Sequence, residues 1–180
     1  MYKKCATEES ARRQRQLEQC LQTLMQTVDY HRITVGDICD LAGIARKSFY
    51  RYFSSKDGCL YALIDHAVFD GASFYLPALA DEQALRSVYE RFFRYWKEQH
   101  GLLEALSRNA LSTLLMERML LYAMNEEQEF WFSLPQGAAD PEEYTLFFIG
   151  GVMSLLLNWH KGGYQKSALQ MSKILAELIR

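Results

Sequence analysis

The sequence predicts an all-α fold, and three observations carry that expectation. Apolar residues recur at three- and four-residue spacing along most of the chain. No stretch sustains the period-two alternation of a half-buried strand, and only 3 Pro occur in 180 residues. With 49% hydrophobic and 23% charged residues the chain can bury a core, which excludes a disordered or collagen-like polymer. Its length is that of one domain or two small ones, too short for a large multidomain enzyme.

About nine helices are expected. Leu17, Leu21, Leu24, Met25 and Val28 line one face of a first helix over about residues 8–29. Thr34-Val35-Gly36-Asp37 reads as a capping box with Asp in place of Glu, opening a short second helix that Gly43 closes in the left-handed conformation. Residues 45–53 form a third, short helix whose start has no good capping side chain. Ala45, Phe49, Tyr52 and Phe53 fall on one side of it; Arg46, Lys47, Tyr50 and Arg51 fall on the other. Ser55 caps a longer helix to about residue 71, with Leu60, Ile64, Ala67 and Val68 inward.

Beyond Pro77, Asp81 caps a helix to about residue 99 in which Leu85, Val88, Tyr89, Phe92 and Trp96 share a face, and Gly101 breaks it. Helices over about residues 102–107 and 111–132 follow, then a turn at Leu134-Pro135-Gln136-Gly137. Asp140-Pro141-Glu142-Glu143 combines an Asp cap, Pro at the first helical position and two acids against the positive dipole end. That helix ends at Gly162-Gly163, and Ser167-Ala168-Leu169-Gln170 is a capping box for the last one.

The eighth helix is apolar all round. Tyr144, Phe148, Val152, Leu155 and Trp159 fill one side; Leu146, Ile149, Met153 and Leu157 fill the other. One side can face its own bundle, and the other calls for a second copy of the chain. Leu146, Ile149, Gly150, Met153, Ser154 and Leu157, with Met171, Ile174, Leu175 and Leu178 of the last helix, are the expected dimer interface. The small Gly150 and Ser154 would let the partner helix approach closely.

Charge is unevenly distributed. The whole chain has a net charge of −2, yet residues 1–60 hold 10 Lys/Arg against 7 Asp/Glu and residues 61–180 hold 10 against 15. Such asymmetry is a cue that one segment meets nucleic acid or membrane. The longest apolar run, residues 146–157, has 12 residues, below the ~18–20 needed to span a bilayer. Residues 1–16 carry no apolar signal region, and the four Cys lack any C-x-x-C pair, so a cytoplasmic protein with reduced thiols and no metal or cofactor is expected.

The most informative stretch is ITVGDICDLAGIARKSFYRYF, residues 33–53. Two short helices joined at Gly43, with small Cys39 before it and Phe49 after, read as a helix-turn-helix whose second helix presents a polar face to the major groove. Arg46, Lys47 and Arg51, with Tyr50 among them, form a cationic face instead of the mixed charges of a merely solvated helix. Lys56 begins the next helix.

From about residue 12 to 64 this region resembles the TetR family of bacterial transcriptional regulators. The resemblance is densest at Ile33-Thr34-Val35, Ala42-Gly43-Ile44, Phe49-Tyr50 and Phe53-x-Ser55-Lys56, and thematic beyond. It implies a helix-turn-helix DNA-binding domain over residues 1–54 and a helical ligand-binding and dimerisation domain over 55–180. Thr34 would contact a phosphate; Ala45, Arg46, Lys47 and Ser48 would face base edges; Tyr50, Tyr52 and Lys56 would hold the DNA backbone. Arg12, Arg13 and Arg15 would add phosphate contacts. The family also implies an inducer pocket in the second half, for which Tyr89, Phe92, Trp96, Met119, Tyr122 and Phe148 are the candidate lining.

Three departures stand out. Ala45 replaces the family's common capping Ser or Thr, a cap of about 1 kcal/mol, Gly36 within helix two costs about as much relative to Ala, and Gly58 stands where the family usually has a helix-favouring acid. The reading that follows is a homodimeric, ligand-responsive repressor on a palindromic operator, with operator DNA, a second copy and an unidentified small-molecule inducer as partners, and no membrane. The alternatives are a DNA-binding regulator without an inducer, answering to a protein or acting as an activator, and a small all-α enzyme. Against the enzyme, His31, His66, His100 and His160 are scattered and neither G-x-S-x-G nor H-E-x-x-H occurs.

Overall fold

Thr7 opens the first helix through a capping box with Ser10. The computed structural model describes residues 2–3, 5–72, 82–124 and 140–179. Among them run α1 (Glu8–Met25), a 3-10 turn (Tyr30–Arg32), α2 (Val35–Ala42), α3 (Arg46–Phe49), α4 (Lys56–Ala72), α5 (Glu82–Glu98), α6 (His100–Arg108), α7 (Ser112–Ala123), α8 (Pro141–Lys161) and α9 (Ala168–Leu178). Nine helices and no named strand make the described fold all-α.

The start signals at Thr34, Asp140 and Ser167 cap α2, α8 and α9 as expected, and Ser55 Oγ accepts the Gly58 N–H at 3.1 Å. Three boundaries differ from expectation. α1 stops at Met25, where the chain tightens through Gln26 N–H to Thr23 O and Thr27 N–H to Leu24 O, and the Met25 carbonyl accepts from Asn109 Nδ2 at 3.1 Å. α3 spans only four residues before tighter turns carry the chain to Phe53. The break after α5 falls at Gln99, and Gly101 lies inside α6. The expected Asp81 cap, the aromatics Phe74, Tyr75, Phe130, Trp131 and Phe132, and the turn at Leu134 lie outside the described residues.

The chain divides into two compact units, residues 1–67 with 104–111, and 68–103 with 112–180. In the first, Leu17, Leu21, Met25, Ile38, Phe49, Phe53, Leu60 and Ile64 are buried and form the core. Asn109 belongs to this unit. Its Oδ1 accepts the Tyr30 N–H at 2.6 Å while Nδ2 donates to Met25 O and to Ala105 O at 2.7 Å, tying the end of α1, the 3-10 turn and α6 together. Glu18 is also buried, with Oε2 2.9 Å from His66 Nδ1 on α4.

In the second unit α9 packs on α5, and α8 on α7. Val88, Phe92, Phe93 and Trp96 of α5, with Ile149, Val152, Met153 and Leu156 of α8, are buried. The turn between α8 and α9 is fixed by Trp159, whose indole N–H donates to Lys166 O at 2.9 Å and whose ring meets Tyr164 edge-on at 4.8 Å.

Candidate nucleic-acid interface

The α2–α3 corner is made by one residue. Gly43 sits at φ 66°, where a side chain would be strained, and lets Ile44 N–H reach back to Cys39 O at 3.0 Å. Behind α3, Phe49 and Phe53 are fully buried with ring centroids 5.1 Å apart. That anchor fixes the rotation of α3. Ala45, Arg46, Lys47, Tyr50 and Arg51 are consequently exposed together, while Ser48 and Tyr52 are half-buried at the edge. The backing is apolar and the outward face carries three cations without an acid, an arrangement able to meet a polyanion.

Two residues expected at a phosphate are engaged elsewhere. Lys56 Nζ donates to Tyr30 O at 2.6 Å and Ile33 O at 2.8 Å and lies 4.2 Å from the Tyr30 ring centroid. Its charge closes the end of the 3-10 turn, where Tyr30 O accepts from it as well as from the Ile33 N–H. The Thr34 N–H and hydroxyl both donate to Asp37 Oδ2, at 2.7 and 2.8 Å. Those bonds, with a smaller pull from Arg46, hold the Asp37 carboxyl below its ordinary range. A phosphate at Thr34 would meet that carboxylate.

Arg46 is shaped by its neighbour. Its guanidinium covers Gly36, where an added Cβ would collide with Nη2. Arg12 and Arg13 are exposed on α1, whereas Arg15 is half-buried, 4.0 Å from Glu18.

In the second unit Tyr89, Phe92, Trp96, Met119 and Phe148 are buried and Tyr122 is half-buried. The structure brings Tyr89 to Phe148 at 6.4 Å and Phe92 to Trp96 at 6.4 Å, while Tyr122 meets Phe69 at 6.3 Å. Burial pushes the Tyr89 phenol well above its usual range. Among the expected dimer residues, Ile149, Met153, Met171 and Leu175 are buried in this chain's own core, correcting their outward assignment. The side of α8 that stays open carries Leu146, Phe147, Gly151 and Ser154, with Gly150 and Leu157 half-exposed; on α9, Ile174 is half-buried and Leu178 exposed. Apolar residues on both sides of α8 left the choice of face undetermined by periodicity.

Residues 23–63, spanning the end of α1 through most of α4, match the family described as bacterial regulatory proteins, tetR family. Residues 23–63 thus carry a TetR-type N-terminal domain. It is 33% identical over 121 residues to the HTH-type transcriptional regulator EthR of Mycolicibacterium smegmatis, a match covering 64% of this chain and 50% of that protein. The chain thus spans about half the length of the curated relative it matches. Its fold is similar to that of a TetR-family regulator from Syntrophomonas wolfei, at TM-score 0.69 and 16% identity over 94% of this chain and 93% of the other. The fatty acid degradation regulator FadR from Bacillus halodurans gives 0.61 and 18% over 98% and 95%.

The sequence reading overlooked two contributors that the TetR-like domain uses, Gln14 and Asn109. Gln14 sits in the buried stripe of α1, a polar residue at an inward position, which is a legible sign that something must satisfy its amide. Asn109, by contrast, lies after a helix with no local cue of its long-range bonds. Among the described residues no group of three or more His, Cys, Asp or Glu is placed to hold a metal, and no helix is long and apolar enough to cross a membrane.

Proposed function

We propose that the chain is a DNA-binding transcriptional regulator that acts as a homodimer, each copy laying α3 in the major groove of one half of a two-fold symmetric operator. The observation that carries this reading is the exposed cationic surface of α3 and the turn after it, Arg46 and Lys47 with Tyr50 and Arg51, held in place by buried Phe49 and Phe53. Arg46 and Lys47 suit guanine O6/N7, and Ala45 suits a thymine methyl. Selection of bound sites from random duplexes tests it: enrichment of a palindrome supports the reading, and recovery of unselected sequence overturns it.

The homodimer reading is supported by α8, where Phe147 is 80% exposed on the same side as Gly151 and Ser154. A Cβ added at Gly150 or Gly151 meets nothing within 4 Å, so a second helix can come close. In an antiparallel crossing centred on Gly151, Phe147 of one copy faces Leu155 of the other, the rim of an apolar groove of about 310 Å³ lined also by Met171 and Ile174. The finer reading is a ligand-responsive repressor, supported by the aromatic-rich bundle of the second unit. A small molecule that raises the melting temperature and is displaced by operator DNA would establish it, because coupling between the two sites is reciprocal.

A further inference from the structure

Ahead of α1 the chain is strapped down. Tyr2 pairs with Phe53 in an antiparallel bridge, and Lys3 N–H donates to Tyr52 O at 3.0 Å. The Tyr2 hydroxyl donates to Asp65 Oδ2 at 2.8 Å, and its ring stands edge-on to His66 at 5.7 Å. Gln14 Nε2 donates to Lys3 O at 3.1 Å, and Cys5 Sγ donates to Gln14 Oε1 at 3.1 Å. Gln14 is only 3% exposed, so both ends of a buried amide depend on this segment.

The strap has a definite product. Two solvent-open troughs share Ser10, Arg51 and Tyr52; one continues to Lys3 and Cys5, the other to Arg13, Ala45 and Ser48. Together they run from the start of α3 to the strapped segment. Lys3, Arg13 and Arg51 along them face one acid, Glu9, and hydroxyls of Thr7, Ser10, Ser48 and Tyr52 lie between. Spaced cations with interleaved hydroxyls, continuous with a base-reading helix, fit a sugar–phosphate backbone.

We propose that Tyr2, Lys3, Cys5 and Ala6 form an arm that, with this trough, takes duplex backbone beyond the bases that α3 reads. Lys3 and Arg51 supply the cations. Tyr2 is a positioning residue: its bond to Asp65 fixes where Lys3 stands. This inference rests on the DNA-binding reading and adds a second contact surface to it.

The test uses the full-length protein and a duplex selected by it from a random pool. Lys3→Ala and Arg51→Ala should each lessen the slope of log affinity against log salt by about one per half-site, equally for all sequences. Tyr2→Phe keeps the ammonium and should move the slope in the same direction; a merely structural tyrosine would lower the melting temperature and leave the slope alone. Trimming the outer base pairs should weaken the unmodified protein and leave Lys3→Ala indifferent. Unchanged slopes in both cation variants, with no effect of trimming, overturn the arm. If Arg46→Ala still alters base preference, that failure belongs to the arm alone; failure to select any duplex overturns both readings.

Discussion

Gly36 lies directly beneath the guanidinium of Arg46, and a Cβ at that position would collide with Nη2. The contact gives a physical reason for a glycine inside α2, where it costs about 1 kcal/mol relative to Ala. It holds a candidate base-reading side chain against the start of the preceding helix, next to the Asp37 carboxylate.

Gly36→Ala should therefore separate folding from recognition. The obstructing atom is the far end of a flexible side chain, so Arg46 can swing aside and stability should rise by up to about 1 kcal/mol. Base preference at one position per half-site should change. Urea unfolding and site selection on the same variant check both halves. Loss of stability would mean that Arg46 cannot yield.

Lys56→Ala should act on stability. Its ammonium serves two backbone carbonyls and the Tyr30 ring, and charge-assisted bonds of this kind place the loss at about 2 kcal/mol. The salt slope of DNA binding should stay as it is. A flattened slope with an unchanged unfolding midpoint would return Lys56 to the phosphate role that the family resemblance implies.

The Asp37 box gives a pH dependence of known sign. Its carboxyl is held below the ordinary value, so its stabilising effect is full above that value and is lost as pH falls through the lower folded one. Asp37→Asn should weaken the protein at pH 7, and the difference from the unmodified chain should shrink under acid. Denaturant midpoints at neutral and acid pH measure it; a gap that widens on acidification contradicts the assignment.

On α8, two substitutions one turn and a half apart should part company. Phe147→Glu changes an exposed residue and should yield folded monomers by light scattering, with a cooperative melt retained. Met153→Glu places a carboxylate at a fully buried site and should unfold the chain, at a cost above about 3 kcal/mol. A dimer that survives Phe147→Glu would move the interface elsewhere.

Much of this molecule was legible in its residues, and the reasons differ by element. Capping boxes at Thr34 and Ser167 and the Asp140-Pro141 start are local chemistry, so α2, α8 and α9 begin where that chemistry places them. The cationic side of α3 follows from helical geometry once Phe49 and Phe53 are taken as inward. What the residues alone do not show is which partner takes a single group. Lys56 and Thr34 carry the right chemistry for phosphate, and the fold also gives them backbone carbonyls and Asp37 as partners, which depends on folding of residues up to 26 positions away. For α8, two apolar sides left only the small residues to tell outside from inside.

Two of the three bonds of Asn109, to Tyr30 N–H and Met25 O, reach across 79 and 84 positions of sequence to the 3-10 turn and the end of α1, while the third goes to Ala105 O. A peptide cut after α4 would leave the Met25 carbonyl and the Tyr30 amide without their side-chain partner. Anyone excising this unit must therefore carry residues 104–111 along. The seam between modules does not coincide with any single point at which the polypeptide could be severed.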